Sequence, residues 1–227
     1  MNKTILFVVC ALAGFAAADN ICEDGFASMF NGVDLTGWDG VPGAWRVEDG
    51  VIIGECGEGD DCKTHYLYWT EKEPDDFVLR LKFKLSGNNS GIQFRSEKRP
   101  NFDTWGYQAD FAEDTQWTGC LYQHDRGAVV KRGFKATIAE DGTRNDTPFA
   151  DPESLLAGYR ENDWNEYEIE CKGSLIALRI NGELMCEVDD RDANFSRDSG
   201  IIALQLHAGP PMKVAFKDLR IKIVSEE

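Results

Sequence analysis

Alternating apolar and polar residues are the main pattern of this chain. In residues 77–85, apolar side chains occupy the odd positions, and Arg80, Lys82 and Lys84 lie between them. Residues 166–171 alternate in the same way, with glutamates at every second position. A period of two places one apolar face against a core and one charged face toward water. The pattern predicts antiparallel strands, with Leu79, Leu81 and Phe83 in the core.

Turn signals separate these short segments. Asp49-Gly50 and Asn181-Gly182 each stand between two apolar runs, and such pairs favour tight hairpins because both residues accept a positive φ. Many short strands with turns between them predict an all-β sandwich or barrel. Helical signals are sparse: residues 152–158 are predicted to form one short turn. The rest of 125–163 is predicted to form long loops, which often shape a binding site.

The first residues have the features of a secretory signal. Lys3 precedes an apolar run over residues 5–13, and Ala16-Ala17-Ala18 offers a cleavage site. We therefore expect a signal peptide at 1–18, one sandwich domain at 19–227, and an exported protein, periplasmic or secreted. The alternative is an uncleaved anchor, but the run is shorter than the roughly 20 apolar residues that span a bilayer.

The charge restricts the partners. The chain carries a net charge of −16, and such a surface repels phosphate backbones and anionic lipid. We therefore expect neither a nucleic acid nor a membrane as the partner.

Cysteines suggest disulfides. Six of the seven lie beyond the predicted signal, an even number that suits an exported protein. Cys56 and Cys62 bracket a short loop and form the first predicted pair; Cys171 and Cys186 flank a hairpin region and form the second. Zinc is the alternative, but no Cys-x-x-Cys spacing supports it.

Three strands alternate apolar residues with an unusual polar set. Instead of Lys, Glu and Thr, these polar positions carry planar or short hydrogen-bonding groups: Gln93 and Arg95, Gln108 and Asp110, Gln205 and His207. If the strands are neighbours, the six side chains line one groove. Sugar hydroxyls need such donors and acceptors, and sugar C–H faces need aromatic rings such as Trp105, Tyr107, Trp117 and Tyr122, which lie nearby in sequence. The other interpretation is a satisfied polar network on an exposed sheet face.

Five motifs carry a family resemblance. They occur in the order Phe30-Asn31-Gly32-Val33-Asp34-Leu35-Thr36-Gly37-Trp38, Trp45-Arg46-Val47-Glu48-Asp49-Gly50, Gly87-Asn88-Asn89-Ser90-Gly91-Ile92, Trp164-Asn165-Glu166-Tyr167 and Ile202-Ala203-Leu204-Gln205-Leu206-His207-Ala208-Gly209. The set resembles the 3-keto-disaccharide hydrolase domain family over residues 26–223. The resemblance implies a concanavalin-like jelly-roll sandwich of two antiparallel sheets. It also implies activity on sugars oxidised to a ketone at C3, with the polar strand positions in the site.

The sequence differs from that of the related endo-β-glucanases at one position that affects the expected mechanism. Gln108 stands where the related endo-β-glucanases carry a nucleophilic carboxylate, which argues against retaining hydrolysis by two carboxylates. A C3 ketone instead makes the C2 hydrogen acidic, so a single base can start an elimination that water addition completes. We expect His207 or Asp110 as the base and Arg95 as the oxyanion stabiliser. His124 is the candidate acid.

The remaining predicted site residues bind the sugar: Gln93, Gln108, Gln205, Tyr122 and Trp105. No sequence motif requires a metal or another cofactor, although a divalent cation would be able to polarise the ketone. A non-catalytic carbohydrate-binding module is the alternative function, because it needs the same groove and aromatic rings. A structural sandwich without a ligand is the third interpretation.

Overall fold

The computed structural model describes residues 25–224 of the chain. The predicted signal peptide and Cys22 lie outside these residues. The described part contains seventeen strands, numbered here in chain order: β1 (Ala27–Ser28), β2 (Trp38–Asp39), β3 (Trp45–Glu48), β4 (Val51–Cys56), β5 (His65–Trp69), β6 (Phe77–Ser86), β7 (Asn89–Arg99), β8 (Asp103–Ala112), β9 (Leu121–Gln123), β10 (Gly127–Val130), β11 (Phe134–Ile138), β12 (Arg144–Pro148), β13 (Asn165–Lys172), β14 (Leu175–Ile180), β15 (Glu183–Asp190), β16 (Ile201–Leu206) and β17 (Met212–Ile223).

These strands form two sheets. The larger sheet has the order β12-β11-β15-β14-β13-β6-β17-β4-β3, with β1 also paired to β17, and the smaller has the order β10-β9-β8-β7-β16-β5-β2. Neighbouring strands are antiparallel except for β11 and β15, which run parallel. The predicted all-β jelly-roll sandwich is confirmed. No helix within residues 25–224 is long and apolar enough to cross a membrane.

The core lies between the two sheets. Leu79, Leu81 and Phe83 of β6 are buried as predicted, and the polar residues between them are half-buried on the outer face. The ring of Phe83 packs on that of Phe111 of β8, with 4.1 Å between the ring centroids. Each fully buried large apolar side chain contributes about 1.5–3 kcal/mol to stability. The alternation in the sequence therefore becomes the packing that joins the sheets.

The hairpin predictions are confirmed and the long-loop prediction is wrong. Asp49 and Gly50 have φ values of 50° and 76° and join β3 to β4, while Asn181 and Gly182 join β14 to β15. Residues 125–163 contain β10, β11 and β12 rather than continuous loops. All five residues of β12 are exposed at the sheet edge, so no alternating apolar pattern marks that strand. The predicted short turn is present as a 3₁₀ turn at Ser154–Leu156.

One of the two predicted disulfides is present. Cys56, at the end of β4, is bonded to Cys62. Cys171 and Cys186 are free and buried, as is Cys120. Cys171 lies on β13 and Cys186 on β15, and β14 lies between those strands. Strands two positions apart are separated by about 9–10 Å, beyond the roughly 7 Å that a disulfide bridges between Cα atoms.

Candidate functional site

The three polar strands are neighbours in the smaller sheet, in the order β8-β7-β16. Gln93 of β7 lies directly opposite Gln108 of β8, and Gln205 of β16 lies opposite Tyr66 of β5. Residues directly opposite each other on paired strands share a face. The backbone register therefore gathers four hydrogen-bonding side chains on the outer face of this sheet.

A cleft of about 340 Å³ opens on this face. Its base contains Tyr66, Gln108, Asp110 and Gln205, all of them buried. One part of the lining is aromatic: the ring of Trp117 meets that of Tyr122 edge to face, and Tyr122 meets His124 in the same way. The other part is polar and consists of Thr64, Asn89 and His207. A polar base with an adjoining aromatic series suits a sugar, which offers hydroxyls on its edge and C–H groups on its faces.

Hydrogen bonds connect the base of the cleft. Gln205 Nε2 donates to the hydroxyl of Tyr66 at 2.9 Å, and that hydroxyl donates to Gln108 Oε1 at 3.3 Å. Gln108 Nε2 donates to Gln205 Oε1 at 3.2 Å and also to Asp110 Oδ1. Burial raises the pKa of Tyr66 to about 12, so its hydroxyl stays protonated and able to donate. The base is therefore an ordered polar network centred on Gln108.

Asp110 is an isolated carboxyl group. Burial raises its pKa to about 8, and the hydrogen bond from Gln108 acts in the opposite direction, lowering it. None of the described residues that line the cleft is a lysine or arginine, so no fixed positive charge there compensates the desolvation. A carboxyl group with a pKa near 8 can exchange a proton at neutral pH.

Both predicted histidines line the cleft. His207 follows β16, and its Nδ1 lies 2.6 Å from the carbonyl oxygen of Ala208. His124 occupies the turn between β9 and β10, and burial lowers its pKa. Arg126 belongs to the same turn and anchors it through an ion pair with buried Asp190. Asp190 also accepts a 2.6 Å hydrogen bond from the hydroxyl of Tyr107.

Arg95 does not reach the cleft. A register shift between Phe94 and Glu97 interrupts the alternation of β7, and Arg95 takes a φ of 45° within it. Its guanidinium is 1% exposed and donates to the carbonyl oxygens of Asp75 and Gly173, and to the carboxylate of Asp76. The predicted oxyanion stabiliser is instead a buried structural group, because the bulge removes it from the face that Gln93 shares with Gln108.

Two predicted sugar-binding residues also lie elsewhere. Gln93 is on the predicted face but is fully buried behind Gln108, to which it donates a hydrogen bond of 3.0 Å. Trp105 does not line the cleft: its Nε1 donates to Asp125 at 2.8 Å, and the guanidinium groups of Arg99 and Arg197 lie over its ring. Gln108, Gln205 and Tyr122 line the cleft as predicted.

Tyr66, Thr64 and Asn89 are cleft residues that the sequence prediction missed. Tyr66 stands in His65-Tyr66-Leu67-Tyr68-Trp69, a run without polar alternation, so no pattern marks it. Thr64 follows the Cys56–Cys62 loop, and its hydroxyl accepts a 3.0 Å hydrogen bond from the backbone N–H of Ala208. Asn89 lies in one of the five motifs that carry the family resemblance, so that motif was a sequence signal that could have identified it. None of residues 125–163 is among the described residues that line the cleft, although this segment was expected to shape a binding site.

Within residues 25–224, no group of three or more His, Cys, Asp or Glu side chains is placed to hold a metal ion. The described residues that line the cleft offer one carboxyl group of raised pKa, two histidines and several amide donors for chemistry.

The fold and the cleft define a class of protein: a jelly-roll sandwich whose smaller sheet carries a sugar-type cleft. Within that class, the chain belongs to the family described as the 3-keto-alpha-glucoside-1,2-lyase-like domain, whose model matches residues 25–222. The family prediction from the sequence motifs is therefore confirmed. A search of curated proteins finds no match to this chain.

Solved structures share the fold at low sequence identity. A candidate glycosyl hydrolase from Parabacteroides distasonis is 20% identical, with a TM-score of 0.60 over 89% of this chain and 95% of that one. A second from the same organism is 19% identical, with a TM-score of 0.59 over 88% and 99%. The carbohydrate-binding module CBM66 from Bacillus subtilis is 13% identical, with a TM-score of 0.52 over 82% and 95%. Family and fold together place the protein among carbohydrate-related sandwiches.

Proposed function

We propose that this protein is an exported enzyme that cleaves the glycosidic bond of 3-keto-glycosides or 3-keto-disaccharides by elimination followed by hydration. The observation that carries the proposal is Asp110: one buried carboxyl group, with a pKa of about 8, in a cleft lined by sugar-binding side chains. No second Asp or Glu belongs to the described lining, so the chemistry of paired carboxylates has no support. The name of the family, a 1,2-lyase, matches an elimination across C1 and C2.

The reaction begins with removal of the C2 proton. Asp110 or His207 takes the proton, and the electron pair of the C2–H bond delocalises onto the C3 oxygen as an enolate. The enolate then re-forms the ketone, a C1=C2 double bond forms, and the C1–O bond breaks. His124 donates a proton to the departing oxygen. Water then adds across the double bond, placing OH on C1 and H on C2, which restores a saturated 3-keto-sugar.

Neutral donors stabilise the enolate in this scheme. Arg95 is too far inside the protein to do so, and the cleft offers the amides of Asn89 and Gln205 instead. The second N–H of Gln205 remains after the first has donated to Tyr66. Preorganised donors at a developing oxyanion typically contribute about 3–4 kcal/mol to the lowering of a reaction barrier.

Isotope incorporation tests this function. The protein is incubated with a panel of 3-keto-glucosides in H₂O and in D₂O, and the products are analysed by mass spectrometry. Elimination followed by hydration places one solvent-derived deuterium at C2, whereas direct hydrolysis leaves C2 unlabelled; an incubation without protein corrects for spontaneous exchange. Asp110→Asn is compared with Asp34→Asn, an exposed control in the loop between β1 and β2 that does not line the cleft. Absence of bond cleavage across the panel refutes the proposal.

A non-catalytic carbohydrate-binding module is the second candidate. The fold similarity to CBM66 and the Trp117–Tyr122–His124 series favour it, since both suit sugar binding without turnover. Calorimetry distinguishes the two functions: a module binds an unoxidised disaccharide and releases it unchanged, and Asp110→Asn leaves its affinity intact.

A further inference from the structure

A directed series of hydrogen bonds leads from the interior of the protein to Asp110. Ser96 Oγ donates to Gln93 Oε1 at 2.6 Å, and Gln93 Nε2 donates to Gln108 Oε1 at 3.0 Å. Gln108 Nε2 then donates to Asp110 Oδ1. Ser96 is 2% exposed and Gln93 is 0% exposed, so neither can touch a substrate. Both nevertheless connect to the carboxyl group of the cleft.

Donor and acceptor chemistry fixes the direction of this series. When Asp110 is ionised, its carboxylate only accepts hydrogen bonds, so Gln108 must then turn its NH₂ group toward Asp110, as it does here. Its oxygen then faces Gln93, which must donate, and the oxygen of Gln93 then faces Ser96, which must also donate. Tyr66 and Gln205 favour the same orientation of Gln108 from the cleft side, and the bonds from Ser96 and Gln93 support it from the inside.

The inner end of the series is held tightly. Ser96 lies in the β7 bulge, between two close glycines: a Cβ at Gly106 would stand 2.2 Å from Ser96 Oγ, and one at Gly200 would stand 2.5 Å from the Ser96 backbone nitrogen. Gly106 and Gly200 also have φ values of 154° and 146°. This enclosure leaves the Ser96 hydroxyl with few orientations, of which one serves Gln93 and another the carbonyl oxygen of Phe94 at 2.8 Å.

We propose that Ser96 and Gln93 are positioning residues that orient the Gln108 amide as a donor to Asp110, and so stabilise the ionised form of that carboxyl group from inside the protein. The proposal bears on the enzyme through the proposed function, in which Asp110 is a candidate base. The hydrogen-bond series and its effect on Asp110 do not depend on turnover. Gln93, expected from sequence to bind sugar hydroxyls, thereby acquires a different role.

Other groups near Asp110 do not replace this donor. The titratable side chains that face the cleft or pack behind Asp110 are tyrosines, one cysteine and two histidines. They lie on β5, β9 and β13, before β9, in the β9–β10 turn and after β16: Tyr66, Cys120, Tyr122, His124, Tyr167 and His207. Tyr167 donates to the backbone oxygen of Asp110 at 3.3 Å rather than to its carboxylate. Among the described residues, Gln108 is the side chain that donates to the carboxyl group of Asp110.

Carboxyl titration by NMR tests the proposal without a substrate. The side-chain ¹³C signal of Asp110 is identified by its loss in Asp110→Asn and followed from pH 4 to pH 10. Ser96→Ala and Gln93→Met should each move the midpoint upward by about 0.4–1 pH unit, the change that corresponds to one hydrogen bond of ordinary strength. If the proposed reaction holds and Asp110 is its base, the ascending limb of the pH–rate profile shifts by the same amount.

Ser90→Ala is the matched control. Ser90 lies on the same strand, is equally buried and donates at 2.7 Å to the backbone oxygen of Gln205, outside the series. It should lower the unfolding temperature to a similar extent and leave the Asp110 midpoint unchanged. An unchanged midpoint in Ser96→Ala and Gln93→Met overturns the proposal, as does an equal shift in Ser90→Ala. A shifted midpoint in a protein that cleaves no keto-glycoside leaves the positioning role standing and refutes only the proposed reaction.

Discussion

Replacing Asp110 by Asn should flatten the pH dependence of stability. The folded state holds the Asp110 proton up to about pH 8, whereas the unfolded chain loses it near its ordinary value of 3.8. The stability that this group contributes is therefore fully present below pH 3.8 and falls progressively as the pH rises from 3.8, until it is lost above about pH 8. Asn keeps the shape and can still accept from Gln108, but it does not titrate.

The expected slope follows from proton linkage. Each pH unit inside the window changes the difference in unfolding free energy between wild type and Asp110→Asn by about 1.4 kcal/mol. Between pH 5 and pH 7 the variant should therefore gain about 3 kcal/mol relative to the wild type. The full window from pH 3.8 to about 8 corresponds to on the order of 6 kcal/mol, an upper limit because water entering the cleft would hydrate the carboxylate.

Urea unfolding followed by tryptophan fluorescence measures this difference at pH 5, 6 and 7. Asp34→Asn serves as the control: Asp34 is exposed, and a hydrogen bond from Asn31 lowers its pKa below the ordinary value, so its removal should leave the slope between pH 5 and 7 unchanged. Parallel curves for wild type and Asp110→Asn would show that Asp110 titrates like an exposed carboxyl group and would refute the reasoning.

Three further predictions concern other residues. Arg95→Met should lower the free energy of unfolding by about 3 kcal/mol, because it removes a buried ion pair with Asp76 and the donors to the carbonyl oxygens of Asp75 and Gly173, while activity per folded molecule stays near wild type. Retained stability with lost activity would contradict the structural role. Tyr122→Ala should weaken sugar binding about tenfold in calorimetry, because an aromatic contact worth roughly 1.4 kcal/mol is lost. An unchanged affinity would show that the rings of Trp117, Tyr122 and His124 are not part of the sugar site. Reduction of the Cys56–Cys62 disulfide should lower the free energy of unfolding in urea by about 2 kcal/mol. Cys120, Cys171 and Cys186 should react with a thiol reagent only after unfolding, and rapid labelling of the native protein would refute their burial.

Alternation in the sequence predicted the faces of the strands but not their irregularities. Leu79, Leu81 and Phe83 were predicted correctly, because β6 keeps its period of two along its length. Arg95 was misplaced because β7 contains a bulge, and a single extra residue reverses the face of everything beyond it. No residue type in the Phe94-Arg95-Ser96 run marks that bulge in advance.

Depth on a face was equally hard to predict. Gln93 and Gln108 share a face, and only the three-dimensional packing shows that one lies behind the other. Tyr66 has the opposite difficulty: a tyrosine in an apolar run looks like core, yet its hydroxyl completes the network at the base of the cleft. Short polar edge strands such as β12 carry almost no pattern, since neither of their faces is buried.

The position of β17 has a consequence for how the chain folds. This strand comes last in the described sequence, yet it lies inside the larger sheet, between β6 and β4, and pairs Ile223 with Phe77. A nascent chain that ends before Met212 would hold β4 and β6 with unpaired inner edges, which are templates for aggregation. Such long-range pairing also slows folding, because the ends of a long segment must meet first. Deletion of β17 would therefore remove the middle of a sheet rather than its border.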